Sequence, residues 1–321
     1  MDVSVIISTR NRARSLEKTL SAFAKVSVPN EWNAEVVIVD NASSDDTRGV
    51  VQRADLANFN VRYVFEGNKG KSIAQNAGIA ASTADIILVT DDDVWPAPDW
   101  LELMALPLSR NECDAVVGRI ELDSNLSRPW MKPIHYFSLA ATETTYRGQP
   151  ELIGCNMGFK RSVLTHVPAF DPELGPGALG FGEETLFSWQ LCEAGLRLRL
   201  VSEALVTHAP EPARLLRSHW LAAARCRGRS LAYLFHHWEH THFNNPLLRL
   251  CYISLKLHLR RILQPPPALH EEGCPPWEMS YVCDVAQCRA ALQERKRTRN
   301  YRKRGLVKIN SRTTTTLVEV A

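Results

Sequence analysis

Residues 85–95 read DIILVTDDDVW. The run Ile86 to Val89 is apolar without alternation, as expected of a strand covered by helices on both faces. Three carboxylates, Asp91, Asp92 and Asp93, close it. Placing like charges at the mouth of a buried strand costs free energy unless something neutralises them. Similar runs stand upstream, VSVIIS at 3–8, EVVIVDN at 35–41 and VRYVFE at 61–66. Helical patterns separate them at 14–26, from Asp45, and at 72–82. This alternation is the signature of βαβ units, so the fold class is α/β, a Rossmann-like, mostly parallel central sheet with helices on both faces. Each run ends in polar residues: Ser8-Thr9-Arg10, Asp40-Asn41 and the aspartate triplet. In open α/β sheets ligands bind beyond the carboxyl ends of the strands, so these positions are expected to converge on one rim.

Beyond Trp100 the pattern is less regular. DAVVGRIEL (114–122) reads as a strand, WMKPIHYFSLA (130–140) as an aromatic-rich crossing, and LIGCNMGFKRSVL (152–164) as a strand or turn entering a helix. DPELGPGALGFGEE (171–184) carries four glycines between Gly175 and Gly182, which suits a loop that moves or is closely approached by a ligand. A helical run follows it to about Ala194, and LRLRLVS then precedes Thr207-His208. NPLLRLCYISLKLHLRRIL (245–263) has helical periodicity, with Leu248, Cys251, Tyr252, Leu255, Leu259 and Ile262 on one broad face and Arg249, Lys256 and Arg260 opposite. It is too charged to span a bilayer, which leaves a helix docked on the rest of the chain or one lying in a membrane interface.

The 321 residues, 45% hydrophobic, suffice for a large core and exclude a disordered chain. The organisation expected is a catalytic domain over 1–210, a helical extension over 211–263, and a Pro-containing linker with a basic, flexible tail over 264–321. The net charge of +3 hides an asymmetry: Arg295 to Arg312 holds nine Lys/Arg and no acid, so the rest of the chain is acidic. Such a tail suits an anionic membrane surface, nucleic acid, or simple solvation. Aromatics interleaved with the cations would favour nucleic acid, and Tyr301 is the single one, so nucleic acid is not expected. No N-terminal stretch has the pattern of a signal peptide, and the eight scattered cysteines read as reduced thiols, so a cytoplasmic location is expected, with peripheral attachment to the inner face of the cell membrane left open.

The triplet has two explanations, a turn with a helix N-cap, or an oxygen-ligand site for Mg2+ or Mn2+ shared with a substrate diphosphate. Three in a row exceed what a cap needs, which favours the second. In order, VSVIISTRNR, VVIVDNASSDDT, NKGKSIAQNAGI, TDDDVWPAPDWL, GCNMGFKR, GFGEETLFSWQL and VTHAP resemble the motifs of the inverting glycosyltransferases of family 2, which have the nucleotide-binding GT-A fold. The resemblance covers roughly Val3 to His208. It implies that Thr9, Arg10, Asp40, Asn68, Lys69, Gly70, Asn76, Asp91 and Asp92 bind the nucleotide-sugar, Asp40 at the base, Asp91 at the ribose, and Lys69 or Lys71 offsetting diphosphate charge. Asp93, Asp91 and His208 are the implied ligands of Mn2+ or Mg2+, and Gly154, Asn156 and Gly182 the acceptor side. The implied donor is a UDP-sugar and the acceptor a saccharide or lipid-linked saccharide. Relatives usually carry Glu-Asp where Glu183-Glu184 stands, so Glu184 matches the base, with Glu183 in reserve; both also read as plain N-terminal helix acids. His208 is either a ligand or structural. Gln75 stands where relatives often have Arg, and Asn11 where many have an aromatic. The absence of Gln-x-x-Arg-Trp points to transfer of single sugars. The competing classes are a sugar-phosphate nucleotidylyltransferase, disfavoured because STRNRARS has no glycine after the first strand, and a non-enzymatic protein that binds a membrane surface or nucleic acid.

Overall fold

A computed structural model describes residues 1–140, 144–242 and 244–309. The strands of the main sheet are β1 (Asp2–Thr9), β2 (Asn33–Asp40), β3 (Asn60–Phe65), β4 (Ile86–Asp91), β5 (Val94–Pro96) and β6 (Ala115–Leu122), then β9 (Asn156–Lys160) and β10 (Leu198–His208). A two-stranded ribbon, β7 (Thr145–Tyr146) with β8 (Gln149–Pro150), stands apart. The main sheet runs β3-β2-β1-β4-β9-β6-β10-β5. β1, β2, β3 and β4 pair in parallel, as do β6 and β10, while β9 runs against both of its neighbours and β5 against β10. Because β9 is reversed between β4 and β6, those two still point the same way, and the parallel strands finish on one rim. There Thr9 pairs with Asp40 and Ser8 with Asp91, so the polar strand ends are lateral neighbours, as the sequence leads one to expect.

Successive strand residues face opposite layers. Val5, Ile7, Val36, Ile38 and Leu88 pack with Leu16, Leu20 and Phe23 of α1 (Ala13–Phe23), Val50 and Val51 of α2 (Thr47–Arg53), and Trp100 and Met104 of α4 (Trp100–Ser109). Ile6, Val37, Val39, Ile87 and Val89 pack with Ala74 and Ile79 of α3 (Lys71–Ala81) and Phe187 and Leu191 of α6 (Glu183–Glu193). Unbroken apolar runs are therefore strands buried on both faces. The triplet is no helix cap: α4 begins at Trp100, well past Asp93. The 130–140 crossing is in part a helix, α5 (Pro133–Ala140).

The segment after α8 (Pro246–Leu263) differs from the sequence expectation. Residues 264–321 were expected as linker and flexible tail, yet they contain α9 (Pro276–Glu294), which packs along α7 (Arg217–Leu234) and α8. The signal was missed because α9 has no clean apolar stripe: Glu278, Gln287 and Glu294 are buried along with Met279, Val282 and Cys288. Glu278 is fully buried because Arg217 and Arg261 both donate to it, the pairing a buried carboxylate requires. The basic run is not loose either. Lys308 Nζ lies 2.6 Å from Asp171 Oδ1, Arg297 Nη2 2.5 Å from Glu173 Oε2, and Arg304 Nη2 3.0 Å from Glu239 Oε2. Tyr301 donates to Asp171 Oδ2, so residues 295–309 are laced to the loop that leads into α6. The rest of the expected tail, 310–321, lies outside the described residues.

α7 and α9 meet at Gly228. A Cβ there would stand 2.2 Å from the Cys283 carbonyl oxygen and 2.8 Å from the Gln287 nitrogen, backbone atoms that cannot turn aside. Gly228→Ala is expected to push the helices apart. The overlap outweighs the ~1 kcal/mol that Ala gains over Gly in a helix, for a net loss of about 1–3 kcal/mol. A lower urea midpoint with unchanged slope is the expected readout.

Candidate active site

The rim opens into a cleft of about 620 Å³. One wall carries the triplet. Asp92, almost fully buried, accepts from Thr9 Oγ1 at 2.6 Å and from Arg12 Nη1 at 2.6 Å, and its carbonyl accepts from Thr19 at 2.8 Å. Arg12 Nη2 reaches Asp93 Oδ2 at 2.6 Å, so one guanidinium at the start of α1 spans two carboxylates. Lys71, first residue of α3, lies 2.6 Å from Asp91 Oδ1. Hence two basic side chains touch all three aspartates and offset two of their three charges. Burial and the Asp93 charge, opposed by Arg12, push Asp92 up to about 7. Despite burial, the bonds and charges of His208 and Arg12 hold Asp93 well below the usual carboxylate range. Burial disfavours the charge on Lys71, but Asp91 and the two glutamates outweigh it and raise its pKa.

His208 ends β10. Its Nδ1–H donates to the Leu139 carbonyl, an acceptor only, so Nδ1 carries a hydrogen, and Nε2 lies 3.4 Å from Asp93 Oδ1, the approach through which His208 lowers the Asp93 pKa. Among the described residues no group of three His, Cys, Asp or Glu converges as a ready metal site. The donor chemistry nonetheless fits Mn2+ or Mg2+: Asp91, Asp93 and His208 share the cleft wall, and Asp93 stays ionised.

Glu183 and Glu184 face this wall from the first turn of α6. Lys71 Nζ is 3.9 Å from Glu183 Oε1, linking them to Asp91. Each glutamate leaves its Oε2 buried without a hydrogen-bond partner. The sequence suggested helix acids kept ionised by the macrodipole, an effect of about 0.3–1 kcal/mol. For Glu184 burial is stronger: with the Glu183 charge beside it, its pKa stands well above the ordinary value, against the pull of Lys71. Glycines make this possible. Gly175 has φ +85°, and a Cβ on it would lie 3.0 Å from Glu183 Oε2 and from Ser72 Oγ. A Cβ on Gly154 would come within 3.4 Å of Lys71 Nζ and 3.7 Å of Glu184 Oε1. The loop is also stitched down, by Lys71 N to the Pro176 carbonyl and Ser72 Oγ to that of Leu174, both at 2.8 Å.

Of the residues singled out in the sequence, Thr9, Arg10, Gly70, Asp91, Asp92, Asp93, Gly154, Glu183, Glu184 and His208 line the cleft. Arg10 presents a buried Nε without a partner. Others lie elsewhere. Asp40 is sequestered, accepting from Ser43 N and Tyr63 Oη at 2.8 Å each, and its neighbour Asn41 reaches the cleft instead. Asn68 and Lys69 are exposed outside it. Asn76 exchanges 2.9 Å bonds with the Phe170 backbone and fastens the loop. Asn156 spends its amide on Trp100 Nε1 and the carbonyls of Arg119 and Ala204, so it braces the sheet. Gly182 is the α6 N-cap with φ +95°, a turn position. What sequence reasoning missed is Arg12. Its only signal was a second basic side chain close behind Thr9, and nothing in the pattern aimed it at the triplet.

The outer wall, toward α5 and α7, is lined by Phe137, Phe181, Arg214, Arg227 and Leu231. Arg227 lies over both rings, 4.9 Å from the centre of Phe137 and 5.6 Å from that of Phe181.

A central parallel sheet reversed at β9, with its acidic cleft beyond the strand ends, defines the GT-A class of α/β fold. Comparison with known proteins gives the family: residues 4–167 match the family model described as glycosyl transferase family 2, and the chain belongs to that family. It is similar to the glycosyltransferase AglE of Haloferax volcanii, 33% identical over 120 residues, which are 37% of this chain and 39% of AglE. It is also similar to the succinoglycan biosynthesis protein ExoM of Rhizobium meliloti, 28% identical over 231 residues, 69% of this chain and 72% of ExoM. The match thus spans well under half of AglE, though most of ExoM. Among solved structures, the mannosyltransferase PcManGT of Pyrobaculum calidifontis, in complex with GDP-Man and Mn2+, superposes with a TM-score of 0.53 at 20% identity, covering 91% of this chain and 74% of that one. S. aureus TarS 1-349 in complex with UDP-GlcNAc gives 0.51 at 15% identity, covering 94% and 93%. At these identities the likeness concerns the fold.

Proposed function

We propose that this protein transfers a single sugar, with inversion, from a nucleotide-diphosphate donor, a UDP-sugar in the first instance, to a hydroxyl of a saccharide or lipid-linked saccharide in polysaccharide or glycolipid synthesis. The observation that carries the proposal is the cleft itself: an aspartate wall with its own cations faces a buried glutamate pair, and Lys71 joins the two. Inversion needs a base on the face opposite the leaving group. Glu184 takes the acceptor proton, and its raised pKa suits it to do so near neutral pH better than an exposed carboxylate would. Glu183 shares Lys71 with it, and the Glu183 charge helps to raise its pKa. Asp93 and His208, with Asp91 beside them, hold the Mn2+ or Mg2+. When bound, that ion neutralises the charge developing on the departing diphosphate. Arg10, Arg12 and Lys71 supply further positive charge on the donor side, and the unpartnered Arg10 Nε is a donor waiting for an anion or a carbonyl. Nucleotide-sugar ligands in the superposable mannosyltransferase and TarS support the donor class.

The test is incubation with UDP-, GDP- and dTDP-sugars in Mn2+, reading release of nucleoside diphosphate. Slow hydrolysis of one donor, suppressed by EDTA, is expected. Neither binding nor hydrolysis of any donor would overturn the proposal.

A further inference from the structure

α8 is amphipathic in an unusual sense, because its larger apolar face is the one left in water. Leu247, Leu248, Tyr252, Leu255, Leu259, Ile262 and Leu263 are between 48% and 80% exposed, and Cys251 among them is exposed too. Only Pro246, Ile253 and Leu257 are buried against the body of the protein. At 3.6 residues per turn the exposed apolar side chains occupy an arc of about 160°. Lys256, Arg249 and Arg260 form the next strip, between that arc and the buried seam. Lys256 lies 4.3 Å from the centre of the Tyr252 ring and Arg260 4.9 Å from that of Trp277, so their stems lie along apolar surface. No acid occurs between Glu239 and Glu271, although Arg261 in that stretch is taken by Glu278 of α9. Among the described residues no helix is long and apolar enough to cross a membrane.

We infer that α8 is a membrane-docking element, laying its Leu248–Tyr252–Leu255–Leu259–Ile262 face into an anionic lipid surface. A contiguous apolar face of this size is seldom left exposed without a partner. The charge pattern selects the partner: a cation strip flanking an apolar arc, with no acid on α8 itself and Asp284 of α9 meeting Arg249 at 3.8 Å, is the arrangement of helices that lie in the headgroup plane of anionic bilayers. A second copy of this chain would bring the strips on two α8 helices near each other and repel. The basic run 295–309 is the other candidate for lipid, but Arg297, Arg304 and Lys308 pair with Glu173, Glu239 and Asp171, and its remaining cations stand beyond α9, outside any helix that could set them beside an apolar arc. The inference stands whether or not the proposed donor is right.

The experiment is co-sedimentation of the full chain with vesicles of phosphatidylglycerol and phosphatidylcholine in equal parts, or of phosphatidylcholine alone, at low and high salt. The wild type is expected to pellet with the anionic vesicles, less so at high salt. Leu255→Glu/Leu259→Glu should lower the bound fraction at least about tenfold, with its circular dichroism unchanged because both side chains are already in water. Lys256→Glu should weaken binding to the anionic vesicles by at least about fivefold and leave the weaker neutral binding as it was. The inference is overturned by a wild type that stays in the supernatant at low salt, or by a double-glutamate variant that pellets like the wild type. A wild type that sediments as a dimer which the double substitution dissolves, without lipid binding, would make a second copy the occupant.

Discussion

Glu184→Gln is expected to bind donor nucleotide like the wild type and to lose about a hundredfold or more in transfer. The amide has the shape of the carboxyl but cannot take the acceptor proton, so the loss should fall on kcat and leave donor affinity intact. Folding is not expected to suffer, since the native carboxyl is held in a site that raises its pKa by burial and already favours the neutral form. Glu183→Gln should be milder: it removes the neighbouring charge and one partner of Lys71 but leaves the base in place. The pH profile provides an independent readout. A base must be deprotonated to act, so the rate falls as pH drops through its pKa, and burial beside Glu183 places that acidic limb well above 4.5. Glu184→Gln should abolish the limb. A dead Glu183→Gln with an active Glu184→Gln would reverse the assignment.

Asp93→Ala is expected to remove the dependence of nucleotide binding on divalent metal. In the wild type, UDP should bind in calorimetry at least about tenfold more tightly with Mn2+ than with EDTA, because the three aspartates outnumber Arg12 and Lys71 and without a metal the excess charge repels a diphosphate. The substitution takes away a carboxylate held ionised and the group that His208 Nε2 faces, leaving Asp91 with Lys71 as its cation. His208→Ala should weaken the same metal effect by a smaller factor, and Asn156→Ala should leave it alone while destabilising the fold, since Asn156 bonds are internal. Equal affinity of wild type and Asp93→Ala in Mn2+ would sink the metal assignment.

The sheet was legible because its signal is local. Runs such as Val36 to Val39 and Ile86 to Val89 are apolar at every position, and only burial on both faces makes that favourable. The polar residues at their ends could then be placed on one rim from the parallel rule alone. Helix α6 was legible for a similar reason, glycines giving way to Glu183-Glu184 and a helical run. α8 was legible as amphipathic, but periodicity alone cannot say which face of a helix meets the core. Here the minor seam of Ile253 and Leu257 does, and the larger face is outside.

What the sequence determined by itself is the α/β class, the family, and most of the residues gathered in the cleft: Thr9, Arg10, Gly70, the triplet, Gly154, the glutamates and His208. Those follow from chemistry written into short segments. Only the tertiary structure decided their partners. It set Arg12 across Asp92 and Asp93, set Lys71 between Asp91 and Glu183, withdrew Asn76 and Asn156 into structural bonds, and turned the basic run into a strap on Asp171 and Glu173. The physical reason is that a backbone pattern is fixed by neighbours in sequence, whereas the partner of a charged side chain is fixed by whichever opposite charge the fold brings within about 4 Å in a place where water cannot compete.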